Sequence, residues 1–148
     1  MTKEVMVTIA GLQAIGEDSE DQDAIELVHI GEYYKKNGNH YILFDEMMEG
    51  MAEPVRNIIK IKDRGLEIRK RGPVAAHMIF EEGSSRQSIY QVPYGSFQVE
   101  TSTTSVRVAE DEQGLEVLIT YQLAVNGRHC ADCDIRVFVQ PREQFCLD

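Results

Sequence analysis

Four residues in this sequence could hold the polar group of a bound molecule: Tyr33, Glu46, Lys70 and Tyr90. Tyr33, Glu46 and Lys70 share predicted strand faces with apolar residues at every second position. A carboxylate or ammonium group on such a face is costly to bury without a partner. Glu46 and Lys70 would therefore need each other, a tyrosine hydroxyl or a ligand. This pattern predicts a binding site for a small, partly apolar molecule, with Lys70, Tyr33 or Tyr90 orienting its polar head.

The same residues have a second interpretation that requires no ligand. If they lie near the ends of a barrel, water or hydrogen bonds within the protein would satisfy them. His29, which shares a predicted strand face with Tyr33, would then be one more solvated residue of this kind. The sequence leaves both interpretations open.

The cysteines are a weaker candidate for chemistry. Cys130, Cys133 and Cys146 all lie near the C-terminus. Residues three apart on a strand face opposite sides, and their Cα atoms lie about 10 Å apart, too far for a disulfide or a shared tetrahedral ion. Only a local loop that recruited Cys146 or His129 would produce a metal site, so no metal is expected.

Two loops have alternative interpretations as well. The segment 16–23 is acidic, but it lacks the spacing and flanking helices of a helix-loop-helix calcium site, and we expect a solvated loop. Met47, Met48 and Met51 would either form a lid over a barrel mouth or fill the end of the core. No nucleophile-elbow, phosphate-loop, dinucleotide or zinc-protease motif is present. We therefore expect neither an enzyme nor a cofactor.

The segment 56–71 is basic, with seven Lys and Arg residues and two acidic residues. Arg56, Lys60 and Lys62 share one strand face, and Arg69 and Arg71 share another. This hairpin would be either an ordinary solvated face or the surface of a protein-interaction module that binds an acidic partner.

The overall composition limits the partners and the compartment. The 148-residue chain has a net charge of −10, which disfavours nucleic acids and anionic membranes. We predict no signal peptide, and no apolar run approaches the roughly 18 residues of a membrane-spanning helix. A cytoplasmic protein, either a monomer or a homodimer, is the expectation.

Alternation of apolar and polar residues predicts ten strands in one all-β domain over residues 1–148. Asn37-Gly38 and Asn126-Gly127 are typical of type I′ hairpin turns. The apolar face of the eighth strand changes between Val99 and Val106, which indicates a β-bulge. Closing the sheet removes exposed edges, so we expect a closed antiparallel up-and-down barrel of about eight to ten strands. The predicted strands cover 3–13, 24–36, 40–46, 55–62, 66–71, 74–81, 86–92, 96–109, 115–125 and 128–139, with 141–148 as a tail.

Several stretches together resemble a known family. They include Gly31-Glu32-Tyr33-Tyr34, Met78-x-Phe80-x-x-Gly83, Tyr90-x-x-Pro93-Tyr94-Gly95 and Thr101-Ser102-Thr103. This ordered set resembles the YwiB-like family of uncharacterised bacterial domains of unknown function. The resemblance implies a calycin-like barrel, similar in shape to lipocalins, and it implies no activity. The Cys130-x-x-Cys133 pair and the absence of Trp depart from the patterns of the YwiB-like family and of true lipocalins, respectively.

Overall fold

Residues 3–11, 26–47 and 50–142 are described by a computed structural model, and these ranges contain ten β-strands. All ten predicted strands are present with small differences at their ends, and positions 12–13 and 24–25 of the first two predicted strands lie outside the described residues. The strands are β1 (Lys3–Ala10), β2 (Glu26–Lys36), β3 (Asn39–Glu46), β4 (Val55–Lys62), β5 (Gly65–Arg71), β6 (Ala76–Glu81), β7 (Ser85–Val92), β8 (Gly95–Glu110), β9 (Leu115–Val125) and β10 (Arg128–Pro141).

The strands form one antiparallel sheet in the order β6-β5-β4-β3-β2-β1-β10-β9-β8-β7. Strands that are consecutive in the chain pair with each other, except β6 and β7, and β1 also pairs with β10. The two strands at the ends of this order, β6 and β7, approach each other. The sheet therefore curves into a nearly closed barrel, as the sequence predicts.

A few hydrogen bonds close the barrel where no continuous ladder exists. Ala75 and Gln91 exchange two backbone hydrogen bonds of 2.9 and 2.8 Å. The Thr101 hydroxyl donates to the carbonyl oxygen of Ile79 at 2.6 Å, which ties β8 to β6. Gly83 donates to the carbonyl oxygen of Thr103 at 2.9 Å. These contacts limit the exposed backbone that an open sheet edge would present.

The hairpin turns confirm the interpretation of the Asn-Gly pairs. Asn37 and Gly38 have φ angles of 54° and 81°, and Asn126 and Gly127 have φ angles of 52° and 81°. Positive φ at both central residues is the type I′ conformation, which matches the twist of the flanking strands.

Two β-bulges shift the strand register. The pairing of β8 with β9 changes between Thr103 and Ser105, within the stretch where the sequence predicts a bulge. A second shift in β10, between His129 and Ala131, was not predicted from the sequence. The second bulge leaves Cys130 without a cross-strand partner.

The inward faces of the strands form the core of the barrel. Ile42, Ile59 and Phe80 are among its fully buried side chains. Gly31 is also buried, and a Cβ atom there would lie 2.7 Å from the carbonyl oxygen of Leu43 and 3.3 Å from Phe44 Cβ. The backbones of β2 and β3 can therefore approach closely at Gly31. No helix among the described residues has the length and apolar composition needed to cross a bilayer.

Candidate functional site

A polar cluster lies inside one end of the barrel, where β3 and β5 end. Lys70 is buried, and no other Lys, Arg, Asp or Glu among the described residues is. It faces inward from β5, directly opposite the buried Asn57 on β4. Glu46 is the last residue of β3 and is paired with Val55 on β4. The antiparallel register therefore brings residues that are far apart in sequence to one place.

The three polar side chains form a connected network. Lys70 Nζ donates to Asn57 Oδ1 at 2.7 Å and to Glu46 Oε1 at 3.3 Å. The Asn57 amide donates to Glu46 Oε1 at 3.4 Å and to the carbonyl oxygen of Val55 at 3.2 Å. Because the Lys70 and Glu46 side chains are only 9% and 19% exposed, this ion pair is poorly screened by water. The sequence predicts that Glu46 and Lys70 need a partner, and this ion pair is one of the three alternatives, beside a tyrosine hydroxyl and a ligand.

The Lys70 ammonium keeps one donor for another partner. An ammonium group has three N–H donors. Within the described part of the chain, Asn57 and Glu46 accept two hydrogen bonds from it. The third N–H can therefore bond an acceptor atom of a bound molecule without breaking the network.

His29 lies next to this cluster. Its ring stacks on Phe44, with 4.4 Å between centroids and 19° between planes. Burial lowers the pKa of His29, while Glu46 raises it and Lys70 lowers it. The imidazole is therefore neutral at neutral pH and can donate or accept a hydrogen bond.

Tyr90 faces the same interior from the other side of the barrel closure. It is half-buried and packs against the hydrophobic core, as does Phe97. Ala76 is the partner of Lys70 on β6, and the Ala75–Gln91 bridge places Tyr90 beside Ala76. A small alanine thus separates Lys70 from Tyr90 along this wall.

Tyr33 lies away from the other three predicted residues. It is near the end of β2 that leads into the Asn37-Gly38 turn, whereas Glu46 is at the opposite end of β3. The Tyr33 hydroxyl and His40 Nδ1 are 2.7 Å apart. Burial, with a further contribution from Glu110, raises the pKa of Tyr33. The structure therefore brings together Glu46 and Lys70, places Tyr90 on the same wall, and separates Tyr33 from them.

Two depressions in the described surface lie outside the cluster. Tyr33 lines a crevice of about 190 Å³ together with the acidic turn 110–114. A second depression of about 420 Å³ lies beside Leu118 and Arg136 on the outer face of the sheet. Neither is lined by Glu46, Lys70 or Tyr90.

Sequence reasoning missed several polar residues of the interior. Asn57 lies between Val55 and Ile59 on the inward face of β4, so its place in the apolar alternation of this strand could have revealed it. Thr103 and Tyr121 are also buried on inward faces. Within the described part of the chain, neither hydroxyl has a nitrogen or oxygen hydrogen-bond partner, and the Cys133 thiol lies beside that of Tyr121.

The other sequence candidates have mixed outcomes. Met47 is 67% exposed and Met51 is half-buried. Cys130 is exposed and Cys133 is buried, and both are free thiols on opposite faces. In residues 3–11, 26–47 and 50–142, no group of three His, Cys, Asp or Glu side chains could hold a metal ion. Several candidates lie outside the described residues: Met48, Cys146, the acidic segment 16–23 and positions 143–148 of the predicted tail.

The basic hairpin is divided between the two faces of the sheet. Lys70 points inward, Lys62 is 2.8 Å from Glu67, and Lys60 lies over the Tyr41 ring. Arg56 and Arg71 are directly opposite each other on the outer face.

A family model described as a domain of unknown function (DUF1934) matches residues 7–137. The chain belongs to this family. The uncharacterised β-barrel protein YwiB of Bacillus subtilis (strain 168) is 27% identical over 125 residues, which are 84% of this chain and 86% of YwiB. The resemblance to the YwiB-like family is thereby confirmed.

A solved structure of the family supports the architecture. The crystal structure of the ywiB protein from Bacillus subtilis matches with a TM-score of 0.78 at 22% sequence identity, covering 95% of this chain and 92% of that chain. At 22% identity, this similarity shows that the two chains share the same fold. Function has to be argued from the residues of the site itself.

Proposed function

We propose that this protein binds a small, partly apolar molecule inside the barrel and holds its polar head at Lys70. The observation that carries the proposal is the buried Lys70 ammonium, which is bonded to Asn57 and Glu46 and has one remaining donor. A buried ion pair contributes little to stability compared with apolar side chains of the same volume. A role in recognition gives a physical reason for its presence there.

The surroundings of Lys70 suit a molecule with an apolar body. Ile68 precedes Lys70 on the same inward face of β5, and Met78 is the partner of Ile68 on β6. Tyr90 and Phe97 add half-buried aromatic surface on the next two strands. Binding sites for small molecules combine such apolar walls with a few fixed polar groups.

A carboxylate is the head group that this cluster would favour. It would accept a hydrogen bond from the third N–H of Lys70 and another from the single N–H of the neutral His29 imidazole. Recognition of this kind involves no covalent chemistry, in keeping with the expectation that the protein is not an enzyme.

Titration calorimetry with dodecanoate tests this proposal. We expect binding to the wild-type chain and at least tenfold weaker binding to Lys70→Met/Glu46→Gln, a double variant that leaves no unpaired charge. Arg69→Gln, which alters the exposed neighbour of Lys70, is the matched control and should bind like wild type. Equal affinity in all three proteins would refute the proposal.

A second candidate function is docking of an acidic protein partner on the outer face of β4 and β5. Arg56 and Arg71 are directly opposite, although like charges in such positions repel. Asp45 is 3.9 Å from Arg56, and both side chains are 56% exposed. Together with the exposed Arg69, this arrangement would favour a carboxylate-rich surface. Binding of a poly-glutamate peptide that is lost in Arg56→Glu/Arg71→Glu would support this alternative.

A further inference from the structure

Two buried hydroxyl groups face each other on the wall formed by β8 and β9. Thr103 and Tyr121 are directly opposite in the β8–β9 ladder and are 4% and 1% exposed. Among the described residues, neither hydroxyl meets a nitrogen or oxygen hydrogen-bond partner. Leaving one buried polar group unpaired is costly, and two adjacent ones are unusual in a protein core.

The neighbours of Tyr121 do not satisfy its hydroxyl. Cys133, its cross-strand partner on β10, makes a side-chain hydrogen bond to it, but a thiol is only a weak hydrogen-bonding group. Burial raises the pKa of Tyr121, and the nearby Cys133 raises it further. The phenol is therefore protonated at all ordinary pH values and is available as a donor.

This wall faces the interior that also contains the Lys70 cluster. The Tyr121 ring meets the edge of Phe80 with 4.8 Å between centroids and 71° between planes. Phe80 and Ala76 lie on the same inward face of β6, and Ala76 is the partner of Lys70. The inward face of β6 therefore contacts Tyr121 at Phe80 and lies beside Lys70 at Ala76.

We propose that the Thr103 and Tyr121 hydroxyls are a second polar contact for the bound molecule. The molecule would then carry a hydroxyl or carbonyl oxygen on its apolar body, apart from the head at Lys70. This inference rests on the proposed binding function and narrows its ligand to oxygenated amphiphiles. Analogues that lack this oxygen would bind more weakly, because they leave the two buried hydroxyls without an oxygen partner.

The test compares dodecanoate with hydroxydodecanoates that carry the hydroxyl at successive carbons of the chain. Calorimetry on the wild-type protein should find at least one isomer that binds about tenfold more tightly than dodecanoate, the effect of one good hydrogen bond. Tyr121→Phe and Thr103→Val should each reduce that preference to about twofold or less. Tyr41→Phe removes a hydroxyl from the outer face and should keep the full preference.

The possible results separate this inference from the proposed function. If dodecanoate binding depends on Lys70 but no isomer is preferred, the hydroxyl contact is wrong and the binding function stands. If a preference survives in Tyr121→Phe and Thr103→Val, the contact is also wrong, and a buried water between the hydroxyls would explain them. If neither dodecanoate nor any isomer binds, both ideas fail. Thermal unfolding of each variant establishes that it is folded, and Tyr121→Phe should be at least as stable as wild type.

Discussion

Lys70 and Asn57 are directly opposite on neighbouring strands, and their side chains are joined by a 2.7 Å hydrogen bond inside the barrel. Both residues are almost completely buried. The amide of Asn57 also donates to Glu46 and to the backbone. Asn57 therefore holds the ammonium and the carboxylate in fixed positions, and the cluster depends on a residue that carries no charge.

Replacing Asn57 by Leu should destabilise the protein, because Lys70 loses its shortest hydrogen bond. We expect a decrease of about 1–3 kcal/mol in the free energy of unfolding, measured with urea. Adding Lys70→Met and Glu46→Gln to Asn57→Leu should recover much of this loss, since an apolar replacement removes the unpaired charges. Purely additive losses in the triple variant would show that the network is not coupled.

Replacing Gly31 by Ala should also be destabilising. The added methyl group would lie 2.7 Å from the carbonyl oxygen of Leu43, a contact with rigid backbone. We expect a loss of about 2 kcal/mol or more, because β2 must shift away from β3. Gly95→Ala is the control, since a Cβ atom there meets no other atom within 4 Å. Similar unfolding free energies for the two variants would contradict the close approach.

Glu67 should contribute to stability in a pH-dependent way. Burial alone would raise the pKa of Glu67, but hydrogen bonds from Lys62 and His77 outweigh it and lower the pKa to about 2 from 4.5. A carboxyl with a lowered folded-state pKa stabilises the protein fully above its unfolded value. This contribution should be lost as the pH falls from 4.5 toward 2.

Unfolding of Glu67→Gln as a function of pH checks that window. Its stability should fall less steeply than that of the wild type between pH 4.5 and 2. Parallel curves would mean that Glu67 titrates alike in the folded and unfolded states. Glu100→Gln, which alters a carboxyl with its own partner in Gln87, is a suitable control.

Titration of His29 should also lower the stability of the folded protein as the pH falls, but at a higher pH than titration of Glu67. Burial lowers the pKa of His29 below its ordinary value of 6.5. The unfolded chain therefore binds a proton more readily, and this destabilises the folded state as the pH falls below 6.5. In His29→Gln the decrease in melting temperature from pH 7.5 to 5.5 should be smaller than in the wild type. An equal or larger decrease would be evidence against a neutral, half-buried imidazole.

Much of the fold is predictable from local sequence features. Asn37-Gly38 fixes one hairpin, and the parity change near Thr103 reveals a bulge, because each depends on residues close in sequence. The bulge at Cys130 gives no comparable signal, because Arg128 and His129 before it are both polar and present no apolar face whose shift could be seen.

The candidate site is only partly predictable for a related reason. The alternation of inward and outward side chains along a strand places Glu46 and Lys70 on inward faces. It does not tell which end of a barrel a residue occupies. Tyr33 therefore cannot be told apart from Lys70 in the sequence, although the antiparallel register puts it at the far end of its strand. That the buried Thr103 and Tyr121 side chains lie opposite each other is visible only once the register of β8 and β9 is known.

The most direct test of the binding function is native mass spectrometry of gently purified wild-type protein beside Lys70→Met/Glu46→Gln. We predict a reproducible added mass on the wild type that disappears on denaturation and is strongly reduced in the variant. Equal added masses on both proteins would show that Lys70 does not hold the molecule. A bare chain mass for both proteins, with no gain in mass when dodecanoate is supplied, would contradict the central claim and favour the outer arginine surface.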